Sequence, residues 1–218
     1  MRRFTLALLT TLVAIPLAGA RAQIIRGGRF GLRDPQNWVS ATVAWQSGWT
    51  VFDGVTGSRW DLGDTQQYGA SIEHAVASGV TVGVRASTSE PSVRYTTGTG
   101  TAPVVREADT RVTQAVGILH VSAGRDIRSV FELGLGTTIY SDFHERGTGA
   151  RLGPDKTDAD FTFVFVYGLG YSFSRHLHVD IVQDIGTSLH QKTGLSAGED
   201  TSARISSTRL VARYGFGG

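Results

Sequence analysis

The sequence predicts an all-β protein, an eight-stranded antiparallel up-and-down transmembrane β-barrel. Residues 161–173 alternate between large apolar side chains and small or weakly polar ones. Successive side chains of a strand point to opposite faces, so one face of this segment is wholly apolar. The other face carries glycine, serine and threonine rather than charge, and a tilted strand needs only about 9–11 residues to cross a bilayer.

The spacing of the predicted strands is the second observation. The alternation recurs at residues 38–49, 65–77, 79–89, 109–121, 129–141, 159–173, 177–189 and 204–216. The connections at 77–79, 122–128 and 174–176 are short, whereas those at 50–64, 90–108, 142–158 and 190–203 are long and rich in Gly, Thr, Asp and Pro. Short and long connections alternate strictly, as they must when strands run up and down through a membrane.

Several strands can be given an apolar face toward lipid and a polar face toward the interior. In the first strand Val39 and Val43 oppose Ser40 and Thr42, and in the other strands the charged residues fall on the inner face. The fourth strand does not fit one phase. Its residues Val112, Val116 and Ile118 compete with Ala115, Leu119 and Val121, which predicts a bulge there.

The aromatic residues near the predicted strand ends are expected to anchor the barrel at the membrane interfaces. They are Trp38, Trp45, Trp49, Trp60, Tyr68, Tyr140, Tyr171 and Phe173.

The N-terminus predicts export. Residues 1–22 have a basic start, an apolar stretch and the small-residue site Ala20-Arg21-Ala22, which together are typical of a cleaved signal peptide. A short periplasmic lead-in follows at 23–37, and the barrel is assigned to 38–218. Cleavage leaves 18 of the 21 Lys and Arg residues beside all 19 acidic ones, so no basic excess remains for nucleic-acid binding.

The signal peptide, the strand count, the alternating connections and the closing strand TRLVARYGF together resemble the small eight-stranded outer-membrane β-barrel proteins, the OmpX/Ail, OmpA-barrel and OmpW-like class. The resemblance implies the outer membrane of a diderm bacterium, contact with outer-membrane lipid and lipopolysaccharide, and insertion by the barrel-assembly machinery. Tyr214 and Phe216 are the implied assembly signal, although Gly217 and Gly218 follow Phe216.

For function, we expect a non-enzymatic protein that supports the envelope or makes surface contacts through its four long loops, with no cofactor. One alternative is a narrow channel or a carrier of small hydrophobic molecules. A wide porin is excluded because side chains nearly fill an eight-stranded barrel.

A second alternative is a lipid A deacylase-like esterase, in which Ser188, His190 and Glu199 would act as nucleophile, base and orienting acid. The sequence TSLHQK lacks the His-x-Ser-Asn signature of those enzymes. Metal binding by His176, His178 and Asp180 is a weaker interpretation, and no metal site is predicted.

The most specific prediction concerns an interior charge network formed by Asp180, Asp184, Arg209, Arg213, Glu73, Arg85 and Glu132. A single antiparallel register would place Asp180 opposite Arg213 and Asp184 opposite Arg209. Such pairs are favoured in a narrow interior, where an unpaired charge is costly.

Overall fold

The computed structural model describes residues 34–54, 56–98, 103–153, 158–190 and 202–217. Within these ranges eleven strands form: β1 (Asn37–Gln46), β2 (Trp49–Asp53), β3 (Ser58–Leu62), β4 (Thr65–Ala77), β5 (Val80–Ser89), β6 (Ser92–Thr97), β7 (Val104–Gly124), β8 (Ile127–Glu145), β9 (Asp158–Ser172), β10 (Leu177–Leu189) and β11 (Ser202–Phe216). The predicted signal peptide, residues 23–33 of the lead-in and Glu199 lie outside the described residues.

Eight of the eleven described strands form a closed antiparallel ring in the order β1, β4, β5, β7, β8, β9, β10, β11, which returns to β1. The predicted all-β, eight-stranded barrel is therefore confirmed. None of the described residues forms a helix long and apolar enough to cross a membrane.

The remaining strands correct the prediction that 50–64 and 90–108 are loops. Strands β2, β3 and β6 pair in the order β2, β3, β6, β7, and therefore continue the wall of the barrel beyond the ring on the side of the long connections. Strands β7 and β8 are also longer than predicted, at 21 and 19 residues. The outer end of the barrel is thus built from paired strands.

The predicted facing of the strands holds in the membrane part. Exposed apolar side chains of β9 point outward, from Phe161 to Tyr171, while Thr162, Val164 and Val166 are buried inside. The fourth predicted strand corresponds to β7, and the structure shows which of its residues face inward. Val112, Val116 and Ile118 face inward, and a register shift lies between Asp109 and Arg111.

If Gly79 adopts a left-handed conformation, the turn between β4 and β5 can be a three-residue loop, Ala77-Ser78-Gly79, that pairs Val76 with Val80 and Ile72 with Val84. Gly79 has the expected positive φ of 73°, and Ile72 pairs with Val84 as predicted. However, Ala77 pairs with Val80, and a register shift after Ala75 restores the common apolar face. The bulge thus aligns the apolar faces of β4 and β5, which the three-residue loop was expected to align.

The interior changes character along the barrel axis. In the membrane part most buried side chains are polar or charged, beside a small apolar cluster of Val130, Val164, Val166, Val182 and Val211. In the outer part the buried side chains form a larger apolar cluster, which we call the outer core. Its members are Trp49, Val51, Trp60, Leu62, Val93, Tyr95, Ala108, Val112, Tyr140, Phe143, Leu152 and Ala203. The prediction that Trp49, Trp60 and Tyr140 are membrane anchors is therefore wrong, because these rings lie inside the barrel. It is also wrong for Trp38, which is buried inside the other end of the barrel against His178 and Arg213.

The change from a polar to an apolar interior occurs at Gly48, between β1 and β2, and at Gly63, between β3 and β4. Trp45 is exposed but Trp49, four residues later, is buried, so the alternation slips by one residue between them. Leu62 is buried and Gln66 exposed, which marks a matching slip. The backbone N–H of Gly48 donates to Asp64 Oδ1 at 2.7 Å between the two slips.

Candidate functional site

The predicted register between β10 and β11 is wrong by two residues. Asp180 lies opposite Val211 and Asp184 opposite Ser207, whereas Arg213 lies opposite His178. Direct cross-strand pairing of Asp180 with Arg213 therefore does not occur. The strands instead place these charges in diagonal positions, where long side chains can reach partners on other strands.

The interior charge network has an upper half, nearer the outer core, and a lower half, nearer the short turns. The upper half centres on Glu132 of β8. Arg85 and Arg209 both donate to Glu132 Oε1, the latter at 3.3 Å, and Arg209 also donates to Asp184 Oδ1 at 3.1 Å. All four side chains are buried. Two carboxylates and two guanidiniums thus neutralise one another across the barrel, and removal of any one would leave a buried charge unpaired.

The lower half contains two further ion pairs that involve different partners from those predicted. Arg213 donates to Glu73 Oε2 and contacts His120 Nε2 at 2.6 Å, while Arg128 Nη2 donates to Asp180 Oδ1 at 2.6 Å. Arg128 and His120 were not among the predicted site residues. The sequence did not indicate them, because the phase of the strand that holds His120 was ambiguous and Arg128 fell in the predicted connection 122–128.

The charged side chains occupy nearly the whole cross-section. A void of about 10 Å³ lies among Glu73, Glu132, Asp180 and Arg209, about the room that one water molecule needs. Above it the outer core closes the barrel with aromatic rings, since Trp60 packs within 5.7 Å of Tyr140 and 4.7 Å of Phe143, centroid to centroid. The described residues therefore leave no wide bore.

A separate polar cluster lies at the boundary between the network and the outer core. His190 Nδ1 is 2.7 Å from Asp160 Oδ1, and its Nε2 is 3.6 Å from Asp53 Oδ1. Ser188 Oγ donates to Asp160 Oδ2 at 3.3 Å. Burial alone lowers the pKa of His190, but the two carboxylates outweigh burial and raise its pKa to about 9.

This cluster includes two of the three residues considered for the esterase alternative, Ser188 and His190. They do not form a nucleophile–base pair, because Asp160 lies between them and bonds to both. Ser188 has no exposed surface, and the ring of Trp60 covers His190 at 5.2 Å. Asp160 was missed, although it lies on the inward phase of β9.

The three residues considered as metal ligands, His176, His178 and Asp180, contact three different partners in the structure. His176 Nδ1 lies 2.8 Å from the carbonyl oxygen of Gly215, His178 stacks against Trp38 at 4.6 Å, and Asp180 pairs with Arg128. Within the described ranges, no group of three or more His, Cys, Asp or Glu residues has the arrangement of a metal site.

The predicted assembly residues lie at the end of the closing strand. Tyr214 and Phe216 both point outward, and Phe216 pairs with Asn37 of β1. Their role in assembly stays a prediction.

The comparisons with known proteins agree with this architecture. No protein-family model and no curated protein matches the sequence. The outer membrane protein OprG from Pseudomonas aeruginosa is similar in structure, with a TM-score of 0.57 at 12% identity over 85% of this chain and 98% of OprG. Neisserial surface protein A (NspA) gives a TM-score of 0.54 at 10% identity over 83% of this chain and 97% of NspA.

At these identities the likeness concerns the fold alone. The closed ring of eight strands, the lipid-facing apolar surface and the polar interior define this protein as a small outer-membrane β-barrel. This is the class that the sequence was found to resemble.

Proposed function

We propose that this protein is a non-enzymatic outer-membrane barrel that holds a rigid extension above the membrane for contacts at the cell surface. The outer core is the observation that carries the proposal. Twelve buried apolar residues fix β2, β3, β6 and the outer ends of their neighbours, which together we call the outer extension. A surface fixed in advance loses less conformational entropy when it binds than flexible loops would.

The outward side of the extension carries charges of both signs. Its ion pairs are Arg59–Asp61, Arg94–Glu107, Arg106–Glu145, Arg111–Glu90, Arg111–Asp142 and Arg146–Asp109. Exposed pairs of this kind contribute little to stability. We therefore assign them to contacts with polar partners, among which lipopolysaccharide head groups are the nearest for a barrel in this membrane.

The filled interior supports this proposal over the channel or carrier alternative. The charge network spans the membrane part and the outer core spans the part above it, so a solute would have to displace buried pairs or aromatic rings. Burial of Ser188 under the outer core likewise argues against hydrolysis, because a substrate could not reach its hydroxyl.

The test uses a strain that lacks the gene and carries either the wild-type protein or a variant with Arg94→Ala, Glu107→Ala and Asp61→Ala. These changes remove outward charges and leave the outer core intact. We expect the variant to insert normally, as shown by faster gel migration before boiling, and to lose adhesion or serum survival as the deletion strain does. Trp45→Phe serves as the control with an unchanged surface extension.

Conductance measured in planar bilayers separates the proposal from the channel alternative. We expect the purified wild-type barrel to give no steady current. A steady conductance, together with full surface activity of the triple-alanine variant, would contradict the proposed function.

A further inference from the structure

A cavity of about 450 Å³ lies at the end of the barrel that carries the short turns. The turns after β4, β7 and β9 form its rim, through Ser78, Arg125 and Arg175 among others. In the outer-membrane topology these short turns face the periplasm. The cavity is separated from the outer extension by the whole charge network.

The inner wall of this cavity is made by Arg128 of β8, Arg213 of β11 and His178 of β10. The two arginines are only 4% and 3% exposed. Within the described part of the chain, four buried nitrogens of these residues have no hydrogen-bond partner: Arg128 Nε, Arg128 Nη1, Arg213 Nε and His178 Nδ1. Buried guanidinium donors are strongly favoured to bind an acceptor, so the wall is short of acceptors.

The carboxylates that partner these arginines lie on the other side of the guanidiniums. Asp180 and Glu73 line the small void deeper in the barrel and do not line the cavity. The cavity itself is lined by four arginines and by only two acidic residues, Asp34 and Asp126. Asp180 and Glu73 already balance the charges of Arg128 and Arg213, so an anion would be held by the unpaired donors of these arginines and not by an excess of positive charge.

Trp38 fixes two of the three wall residues in place. Its ring lies 4.6 Å from that of His178, and the guanidinium carbon of Arg213 lies 5.2 Å from its centroid. Arg128 is held by its bond to Asp180. The side chains that carry the unpaired nitrogens are thus already immobilised, which lowers the entropic cost of binding.

We propose that this cavity is a periplasmic binding site for a phosphate group. Arginine donors match phosphate oxygens well, and the donors here come from three different strands. A tetrahedral oxyanion directs its acceptor oxygens out of one plane, so it can accept from residues on all three strands, whereas the two oxygens of a carboxylate accept within one plane. The phosphate can belong to inorganic phosphate or to the head group of a phospholipid, and the same nitrogens would bind either.

The test measures binding of radiolabelled inorganic phosphate by equilibrium dialysis. The full-length mature barrel is kept in dodecyl maltoside, which contains no phosphate, at constant ionic strength in chloride. We expect saturable binding of one phosphate per barrel. Arg128→Lys keeps a positive charge beside Asp180 but removes Nε and Nη1, and it should weaken binding about tenfold.

Arg209→Lys is the matched control, because it makes the same change at a buried arginine that does not line the cavity. Its phosphate affinity should equal that of the wild type. His178→Phe keeps a ring against Trp38 and removes Nδ1, so it tests the site through a second wall residue if Arg128→Lys fails to fold. We expect several-fold weaker binding.

The phospholipid source is tested by native mass spectrometry of barrels extracted from outer membranes. Phospholipid that stays bound to the wild type and is lost from Arg128→Lys identifies a head group, whereas phosphate binding without retained lipid identifies the free anion. Absence of both kinds of binding in the wild type, or an equal loss in Arg209→Lys, would overturn the proposal. Because the surface assay does not depend on this cavity, failure here leaves the proposed function untouched.

Discussion

Arg128 and Asp180 form an ion pair across an intervening strand, with 2.6 Å between Nη2 and Oδ1. Both lie opposite Gly170 of β9, Arg128 from β8 and Asp180 from β10. A Cβ atom at Gly170 would lie 2.0 Å from Asp180 Oδ1 and 2.9 Å from Arg128 Nη2. Because Gly170 has no side chain, the ion pair can form in the space that a Cβ atom would occupy.

We predict that Gly170→Ala destabilises the barrel by about 3 kcal/mol, because it forces apart a buried ion pair. Urea unfolding in detergent micelles, followed by tryptophan fluorescence, measures this change. Gly117→Ala is the control, since a Cβ atom there would come no closer than 3.7 Å to its neighbours. Equal destabilisation by both substitutions would show that Gly170 does not make room for the pair.

The partners in the lower network can be distinguished by double-mutant cycles. Asp180→Asn and Arg128→Gln should show a coupling free energy of about 2 kcal/mol, because these residues bond directly. Asp180→Asn and Arg213→Gln should be additive to within about 0.5 kcal/mol. Strong coupling in the second cycle would instead favour the register that the sequence predicted.

The stability of the outer extension should depend on pH through His190. Its pKa is raised to about 9 in the folded protein from an ordinary value of 6.5. The proton on His190 therefore stabilises the fold fully below about pH 6.5, and this contribution is lost as the pH rises through 9.

Hydrogen exchange of the amides in β2 and β3, measured between pH 6 and pH 10 and corrected for intrinsic rates, should show this loss of protection. His190→Gln should remove most of the pH dependence. Asp160, Asp53 and Tyr140 surround the imidazole. A variant with the same pH profile as the wild type would contradict the assignment to His190.

Trp60→Ala should loosen the outer extension without preventing membrane insertion. Trp60 is completely buried in the outer core, and truncation of a buried tryptophan costs about 3–5 kcal/mol. We expect new protease cleavage within β2, β3 and β6 on intact cells, with gel migration of the unboiled protein unchanged. Trp45→Ala, at an exposed position, should leave the cleavage pattern as in the wild type.

The topology predicts which residues are accessible from outside the cell. A cysteine placed at Ala150 should react with an impermeant thiol reagent on whole cells, because it lies between β8 and β9 at the end of the long connections. A cysteine at Ser78, in the turn after β4, should react only after the outer membrane is opened. The reverse labelling pattern would show that the short turns, and not the long connections, face the cell exterior.

The membrane part of the fold could be predicted because a single rule governs it. Lipid on one side and a polar interior on the other impose an alternation that residues 161–173 display without interruption. The register between β10 and β11 could not be predicted in the same way. Long arginine side chains satisfy their charges diagonally and across strands, so pairing of charges does not determine which backbone positions face each other.

The outer extension was missed for a different reason. Above the membrane water replaces lipid, so the apolar residues must face inward, and the phase of the alternation reverses. Trp49 and Trp60 thus appear in the sequence as aromatic residues beside glycine and aspartate, a pattern that also fits a loop with interfacial anchors. Only the pairing of β3 with β6 shows that these rings share one interior.

At Gly48 and Gly63 the apolar side chains change from the outer to the inner face of the barrel. The length of the part above the membrane is therefore independent of the length of the lipid-facing part. Residues inserted beyond the reversal would lengthen β2 and β3 in water and leave the lipid-facing surface unchanged. Because the side-chain period is two, insertions of two residues in each of the paired strands would preserve the facing of every ring in the outer core. The reach of this protein from the cell surface can therefore be altered in steps of about 7 Å along the strand, without any change to the part that the membrane holds.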